Sequence, residues 1–266
     1  MQAMTAQDRW AAALSSWALP QEILDQAPES PWRLPPEAFA GAARAALELP
    51  PTPTHERALE ALPAGGLVVD VGAGAGAASL PLAKRASRIV AVDQSSEMLR
   101  ELLAIAPRSV VVTTVEGTWP EVRPKVEAAD VVVCANVAYN VPALDAFVTA
   151  LTDTARAQVV MELTSSHPQQ PLNWLWQHFW GLRRPEVPTA ETAVKVVQET
   201  VGVEVEVIRW RSRRPRFDPR DPQAIAWVRQ RLCLPEARTD ELAQLLRSRD
   251  PNQETEMVTL VWRGRA

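Results

Sequence analysis

Short apolar runs recur through the middle of the chain at spacings that leave room for a helix between successive pairs. Leu67 to Val71, Ile89 to Asp93, Val110 to Val115, Val131 to Cys134 and Gln158 to Leu163 are each of strand length and rich in valine or isoleucine. The first, almost wholly apolar and without the strict alternation of a half-exposed sheet, reads as a buried strand of the parallel type. Between these runs, polar and apolar residues follow helical spacing. A helix is expected from about Gly76 to Arg85, with Pro81 in or near its first turn, where a missing N–H does least harm. Ser95 or Ser96 caps another through about Leu103, and a third runs from about Pro142 to Asp153. Later, Thr189 caps a helix to about Thr200, Val201 to Trp210 alternates as a strand, Asp221-Pro222 begins another helix, Thr239 caps a second, and Glu256 to Trp262 closes as a strand. Strands alternating with helices give a doubly wound, mainly parallel α/β sheet, here of seven strands with an antiparallel strand near the end. The strand order cannot be read from the pattern.

Before this alternation, residues 1–62 carry apolar positions at helix spacing, such as Trp10, Leu14 and Trp17, broken by prolines. They are expected to form an N-terminal helical cap and linker, with residues 63–266 as the α/β domain. Changes of pattern at about 165–190 and 211–253 mark insertions. The first holds the aromatic stretch Trp174 to Trp180, expected as a lid helix. Trp176, Phe179 and Trp180 share a helical stripe that first of all suggests packing.

At 266 residues and 47% hydrophobic content, the chain can bury a large core. A formal charge of −4 gives no global field toward nucleic acid or an anionic membrane. One basic cluster, Arg209, Arg211, Arg213, Arg214, Arg216 and Arg220, stands against this and reads as a solvated turn or a phosphate site. Cys134 and Cys233 are the only cysteines and have no metal-ligand spacing. No leader or membrane-spanning run is seen, so a cytoplasmic protein is expected, as monomer or homodimer.

The run Asp70-Val-Gly72-Ala-Gly74-Ala-Gly76 lies between the first strand and the expected helix. Glycines there let the backbone turn sharply and approach a ligand, with amide groups and a helix dipole facing it. Gly72-x-Gly74-x-x-Ala77 also meets the relaxed dinucleotide pattern, which keeps an NAD(P)-dependent oxidoreductase open. Asp70 argues the other way, since a carboxylate before the first glycine would receive a cationic amino group and repel a pyrophosphate. Asp93, ending the second strand, suits ribose hydroxyls in either case.

With Ala-Val-Asp93-Gln-Ser-Ser-Glu-Met98-Leu and Val-Glu-Gly117-Thr118-Trp119-Pro120, this run resembles the class I methyltransferases that use S-adenosylmethionine. The likeness covers about residues 60–165. Pro-Glu-Ser-Pro-Trp32 and Glu162-Leu-Thr-Ser-Ser-His167-Pro are similar to a little-characterised actinobacterial group. The resemblance implies that Gly72, Gly74 and Gly76 floor the methionine part, Asp93 binds the ribose, Gln94 and Met98 flank the adenine, and Gly117, Thr118 and Trp119 read its edge. Thr118 stands where the family commonly has an acidic residue. Trp119 is then expected to stack or to offer its backbone N–H, and Trp32 to close the pocket.

In open α/β sheets the acceptor lies beyond the carboxyl ends of the strands. Asn136 and Tyr139 follow the fourth strand, and Glu162 and His167 mark the end of the fifth. Asn136 would position an acceptor or touch the cofactor. Tyr139 and His167 are the candidates for a catalytic hydroxyl and a base. Glu162 equally suits orienting a loop, and His55 and His178 read as structural. The Asn/Asp-Pro-Pro-Tyr/Phe signature of nucleobase methylation is absent. A small-molecule oxygen or nitrogen acceptor is therefore expected. A nucleic-acid methyltransferase and a non-catalytic cofactor-binding protein are the other readings.

Overall fold

The computed structural model describes residues 4–32, 36–212, 220–248 and 254–266. Seven strands form one sheet: β1 (Gly66–Val71), β2 (Ala86–Asp93), β3 (Val111–Glu116), β4 (Ala129–Ala135), β5 (Ala155–Thr164), β6 (Glu206–Ser212) and β7 (Thr255–Arg263). Their order is β3-β2-β1-β4-β5-β7-β6. The first five pair in parallel, and β7 runs antiparallel to both β5 and β6. All six residues of β1 are buried, as its apolar run requires. The chain winds outward in opposite directions from β1 and β4, so a crevice opens at the carboxyl ends of these two central strands.

Side chains alternate between two apolar layers. Val69, Val71, Val132, Cys134, Val159 and Met161 belong to one, with α1 (Ala6–Ser15), α6 (Leu144–Thr152) and α8 (Ala190–Val201) supplying Trp10, Phe147 and Val197. Val68, Ile89, Val131, Val133 and Val160 belong to the other, with Ala58 of α4 (Pro53–Ala61), Leu62 just after it, and Leu99 and Leu102 of α5 (Ser96–Ile105). Each buried valine or leucine contributes roughly 1.5–3 kcal/mol relative to exposure.

The first 62 residues spread over the whole molecule. Trp10 of α1 is fully buried and its indole donates to Val141 O at 2.8 Å. Leu19 and Ile23, in and before α2 (Gln21–Leu24), join a third cluster with α7 (Asn173–Trp180), α9 (Pro222–Arg231) and α10 (Thr239–Arg247). Ala40 and Ala43 of α3 (Pro36–Glu48) pack on Ala75 of the glycine loop, small side chains that permit close approach.

Four local expectations are corrected. No α-helix follows the glycines: the chain makes tight turns and a single 3-10 turn at Leu80–Lys84. Gly76 sits at φ 91°, outside the helical region, and Pro81 has no N–H to give a longer ladder. Val201 ends α8 with Gly202 left-handed behind it, so β6 begins only at Glu206. Helix α6 starts at Leu144 after Ala143, two residues beyond the expected Pro142. Thr239 is the first residue of α10 and not its cap.

The aromatic stretch is helical, as its spacing predicts, but Trp176 is fully buried and the Trp180 indole donates to Leu232 O at 2.7 Å. The stripe therefore packs the third cluster. Arg213, Arg214 and Arg216 fall outside the described residues. Arg209 pairs with Glu191, and Arg211 lies 3.6 and 3.5 Å from Glu254 and Glu256, so these cations are spent on neighbouring carboxylates. Among the described residues, no helix is long and apolar enough to cross a membrane.

Candidate functional site

The glycine loop leaves β1 by hanging both Gly72 N–H and Ala73 N–H on Val92 O, at 2.8 and 3.0 Å. Gly72, Gly74 and Gly76 all take positive φ, at 71°, 52° and 91°. At Gly72 an added Cβ would stand 2.2 Å from Val137 Cγ2, so the turn after β4 is pressed directly against the loop. At Gly74 the same atom would find only Phe39 Cδ1, at 3.8 Å, and otherwise open space. Gly74 thus faces the crevice, and Gly72 faces the wall. Gly76 faces inward, onto Leu80 and Leu102.

Asp93 at the end of β2 organises the loop's other side. Its Oδ2 accepts from Gly74 N–H at 2.8 Å and its Oδ1 from Ser95 N–H at 2.9 Å, while its own carbonyl accepts from Gly117 N–H at 2.9 Å. One residue therefore ties the glycine loop, the start of α5 and the end of β3 together. Each carboxylate oxygen keeps a second lone pair, which suits the hydroxyls of a ribose. Gln94 is exposed beside it and Met98 is buried in the first turn of α5. Thr118 is exposed, but Trp119 is buried in the apolar layer, so its ring is not offered at the loop surface. Trp32 stands on the surface, 47% exposed. The aromatic side chain at Gly74 is Phe39 instead, a residue with no signal in sequence beyond one apolar position in an alanine-rich helix.

Asp70 is also corrected. It is fully buried, with neither oxygen in hydrogen-bonding geometry to any partner and with Ser79 equally unpartnered beside it. Burial pushes its carboxyl up to about 7; the nearby Ser79 hydroxyl opposes this in part and the Asp93 charge adds to it. A direct ion pair with a ligand's amino group is closed to it.

His55 anchors the loop from α4. Its Nδ1 accepts from Thr52 N–H at 3.1 Å, which leaves Nε2 to donate to Ala77 O at 3.0 Å. From the same helix, Thr54 enters a chain with one consistent direction. The Trp210 indole donates to Thr259 at 3.0 Å, Thr259 to Thr54 at 2.8 Å, and Thr54 to Glu162 Oε2 at 2.5 Å. Asn136 meets the other oxygen of Glu162 at 3.1 Å and takes Glu162 O on its own N–H at 2.8 Å. These bonds hold Asn136 at φ 60°, a conformation asparagine tolerates better than most residues. Glu162 thereby fixes the turn that Val137 presses on Gly72. Thr54, Thr259 and Trp210 come from segments far apart in sequence, so their convergence on Glu162 had no sequence signal.

The two residues expected to catalyse are differently employed. Tyr139 is buried and its hydroxyl donates to Thr164 O at 2.8 Å. His167 is buried with its ring stacked on Trp17 at 3.7 Å and edge-on to Tyr139 at 5.2 Å. Burial, and secondarily the Arg184 charge, push its imidazole down to about 4. A ring so covered and so weakly basic is a poor general base near neutrality. Arg184 itself is held between Trp17 and Trp176 and donates to Trp17 O and Ala18 O at 2.5 and 3.2 Å.

Residues 68–158, which carry the glycine loop, Asp93 and Asn136, match the family model described as a methyltransferase domain. No curated protein matches the chain in sequence. Among solved structures, the YcgJ protein of Bacillus subtilis is 15% identical, with a TM-score of 0.53 over 84% of this chain and 99% of that one. A Bacillus halodurans protein, assigned as a methyltransferase by inference, is 17% identical, with a TM-score of 0.51 over 80% and 97%. A cyclopropane synthase from Mycobacterium tuberculosis is 15% identical, with a TM-score of 0.50 over 78% and 82%. At these identities the likeness is one of fold.

Proposed function

We propose that residues 68–158, which match the methyltransferase-domain model, form a methyltransferase domain whose cofactor is S-adenosylmethionine. On this reading the glycine loop and Asp93 hold the cofactor and the methyl group passes to an oxygen or nitrogen of a small molecule. The observation carrying the reading is the open face at Gly74, bounded by the Asp93 carboxylate and by Phe39, with a buried unpartnered carboxyl, Asp70, beneath the loop. This cradle fits a cationic amino-acid nucleoside and would set a carboxyl against a pyrophosphate, which disfavours NAD(P).

When bound, the cofactor supplies a methyl carbon already activated by its sulfonium. The protein then has to align and desolvate the partners, which can account for several orders of magnitude in rate. Gly72 and Val137 form the wall on one side, and Asp93 with Met98 the side toward the nucleoside. The acceptor enters beyond β4 and β5, where Glu162 fixes the Asn136 turn. No described side chain there is placed as a base, and an acceptor nucleophile that loses its proton to water needs none. Acidic charge and paired Arg209 and Arg211 support a small-molecule acceptor over nucleic acid.

Calorimetry is expected to show binding of S-adenosylmethionine and of its demethylated product, with at least a tenfold loss for Asp93→Ala. Preference for NAD would overturn the cofactor site. Labelled methyl transfer across small-molecule and RNA pools tests the acceptor, and transfer to structured RNA alone would overturn that part.

A further inference from the structure

The least expected group at the site is Asp70. Carboxylates are seldom fully buried without partners, because the charged form loses its hydration and gains nothing. Here the side chain is sealed, 0% exposed, and neither oxygen has a hydrogen-bond partner. Of the groups facing it, the Asp93 charge works against ionisation and only the Ser79 hydroxyl favours it, in part. Asp93 approaches from the end of β2, Cys134 from β4 and the Ser79 hydroxyl from the turn behind the glycines. No cation is among them. Cys134, forced upward by burial and by Asp70, stays a neutral thiol. Yet Asp70 sits two residues before Gly72, directly under a loop whose open face is shaped for a ligand.

We infer that Asp70 carries a proton in the ligand-free protein and gives it up to solvent when a cationic cofactor fills the loop above it. This rests on the proposed cofactor site and adds its regulation: binding is coupled to the release of one proton, and affinity falls as pH falls. Asp70 acts through the field across the loop and does not touch the ligand, so it is a positioning charge and not a contact. The O–H bond of the carboxyl breaks, the proton goes to buffer, and the carboxylate left behind balances the arriving positive charge. Without a ligand that charge is absent, and the protonated form avoids a buried anion beside Asp93. The raised ionisation of Asp70, to about 7, is in accord with this geometry.

The sign is fixed by linkage. The bound state prefers the deprotonated carboxyl, so affinity rises with pH up to about 7 and then levels. If binding brings ionisation well below pH 5, the dissociation constant at pH 5.5 is about 25-fold larger than at pH 7.5. The cofactor's own amino group titrates near 8, so it stays almost wholly protonated at pH 6.5, where the released protons are counted.

The test is calorimetric binding of S-adenosylmethionine, and of S-adenosylhomocysteine, which keeps the ammonium, at pH 6.5 in two buffers of different ionisation enthalpy. The expected result is release of about 0.8 proton for the unaltered protein and close to none for Asp70→Asn, whose dissociation constant changes less than threefold between pH 5.5 and 7.5. Binding of either compound by the unaltered protein without proton release overturns the inference and leaves the cofactor site standing. Release that persists in Asp70→Asn also overturns it, because the proton then comes from another group. Binding of neither compound at any pH overturns the cofactor site and the inference together. Should Asp70→Asn fail to fold, the proton count on the unaltered protein decides.

Discussion

Gly72 and Gly74 lie two residues apart in one loop, both left-handed, yet the structure assigns them opposite sensitivities. Gly72→Ala meets two costs. An L-residue at φ 71° loses about 1–2 kcal/mol. Its Cβ would also fall 2.2 Å from Val137 Cγ2, and Val137 is β-branched and cannot swing aside cheaply. Its backbone is held too, because Glu162 pins Asn136 next to it. Overpacking of this kind costs about 1–3 kcal/mol. The total, roughly 2–5 kcal/mol, is a large share of the ~5–15 kcal/mol that holds a typical domain together. In Val137→Ala the obstructing methyl groups are gone, so adding Gly72→Ala should cost only the backbone part. The coupling between the two is then about 1–3 kcal/mol. Gly74→Ala carries the same backbone cost at φ 52° but meets only Phe39, at 3.8 Å. Its Cβ stands in the crevice, so cofactor affinity should fall at least tenfold while stability drops by only about 1–2 kcal/mol. Urea unfolding of the four variants, with calorimetric cofactor binding, measures both quantities. A loss below about 1 kcal/mol for Gly72→Ala, no recovery in the Val137→Ala background, or unchanged affinity in Gly74→Ala would refute the reasoning.

Three further outcomes are expected. Glu162→Gln sets an amide donor against Thr54 or Asn136, both of which already donate, and should cost about 1–3 kcal/mol; an unchanged melting temperature would count against the directed chain. His167 has a folded-state ionisation below its ordinary value, so the unfolded chain binds more protons between about pH 6.5 and 4. Stability is therefore full above 6.5 and lost as pH falls toward 4, by up to about 3 kcal/mol, and His167→Gln should flatten that slope; an NMR titration of the ring near 6.5 would sink the assignment. Tyr139→Phe removes one hydrogen bond to Thr164 O, worth about 1 kcal/mol, and should keep methyl transfer within severalfold; a loss of a hundredfold or more would return the hydroxyl to the chemistry.

Much of the fold was legible because its signals are local. Five valine-rich runs announced a parallel sheet, and the almost wholly apolar run of β1 can be stable only if both faces are covered, as they are. The helix expected after Gly76 was misread for an equally local reason. Pro81 is compatible with a first turn, but whether the preceding glycines enter a helix depends on their φ angles, which tertiary packing sets. In the site, Asp93 was found because it ends a strand at a fixed distance from the glycines. Phe39 and Thr54 were missed because they arrive from helices α3 and α4, whose docking onto the loop no spacing encodes.

By itself, the sequence determined the class of fold, the place of the cofactor loop and the residues at its two ends, since glycine, aspartate and β-branched runs constrain the backbone wherever they occur. Only the tertiary structure decided what each carboxyl and ring does. Asp70 and His167 were read as groups facing a ligand, and burial made one a sealed acid and the other a stacked, weakly basic ring. Solvation and partners set protonation and reach, and both are properties of neighbours brought together from distant parts of the chain.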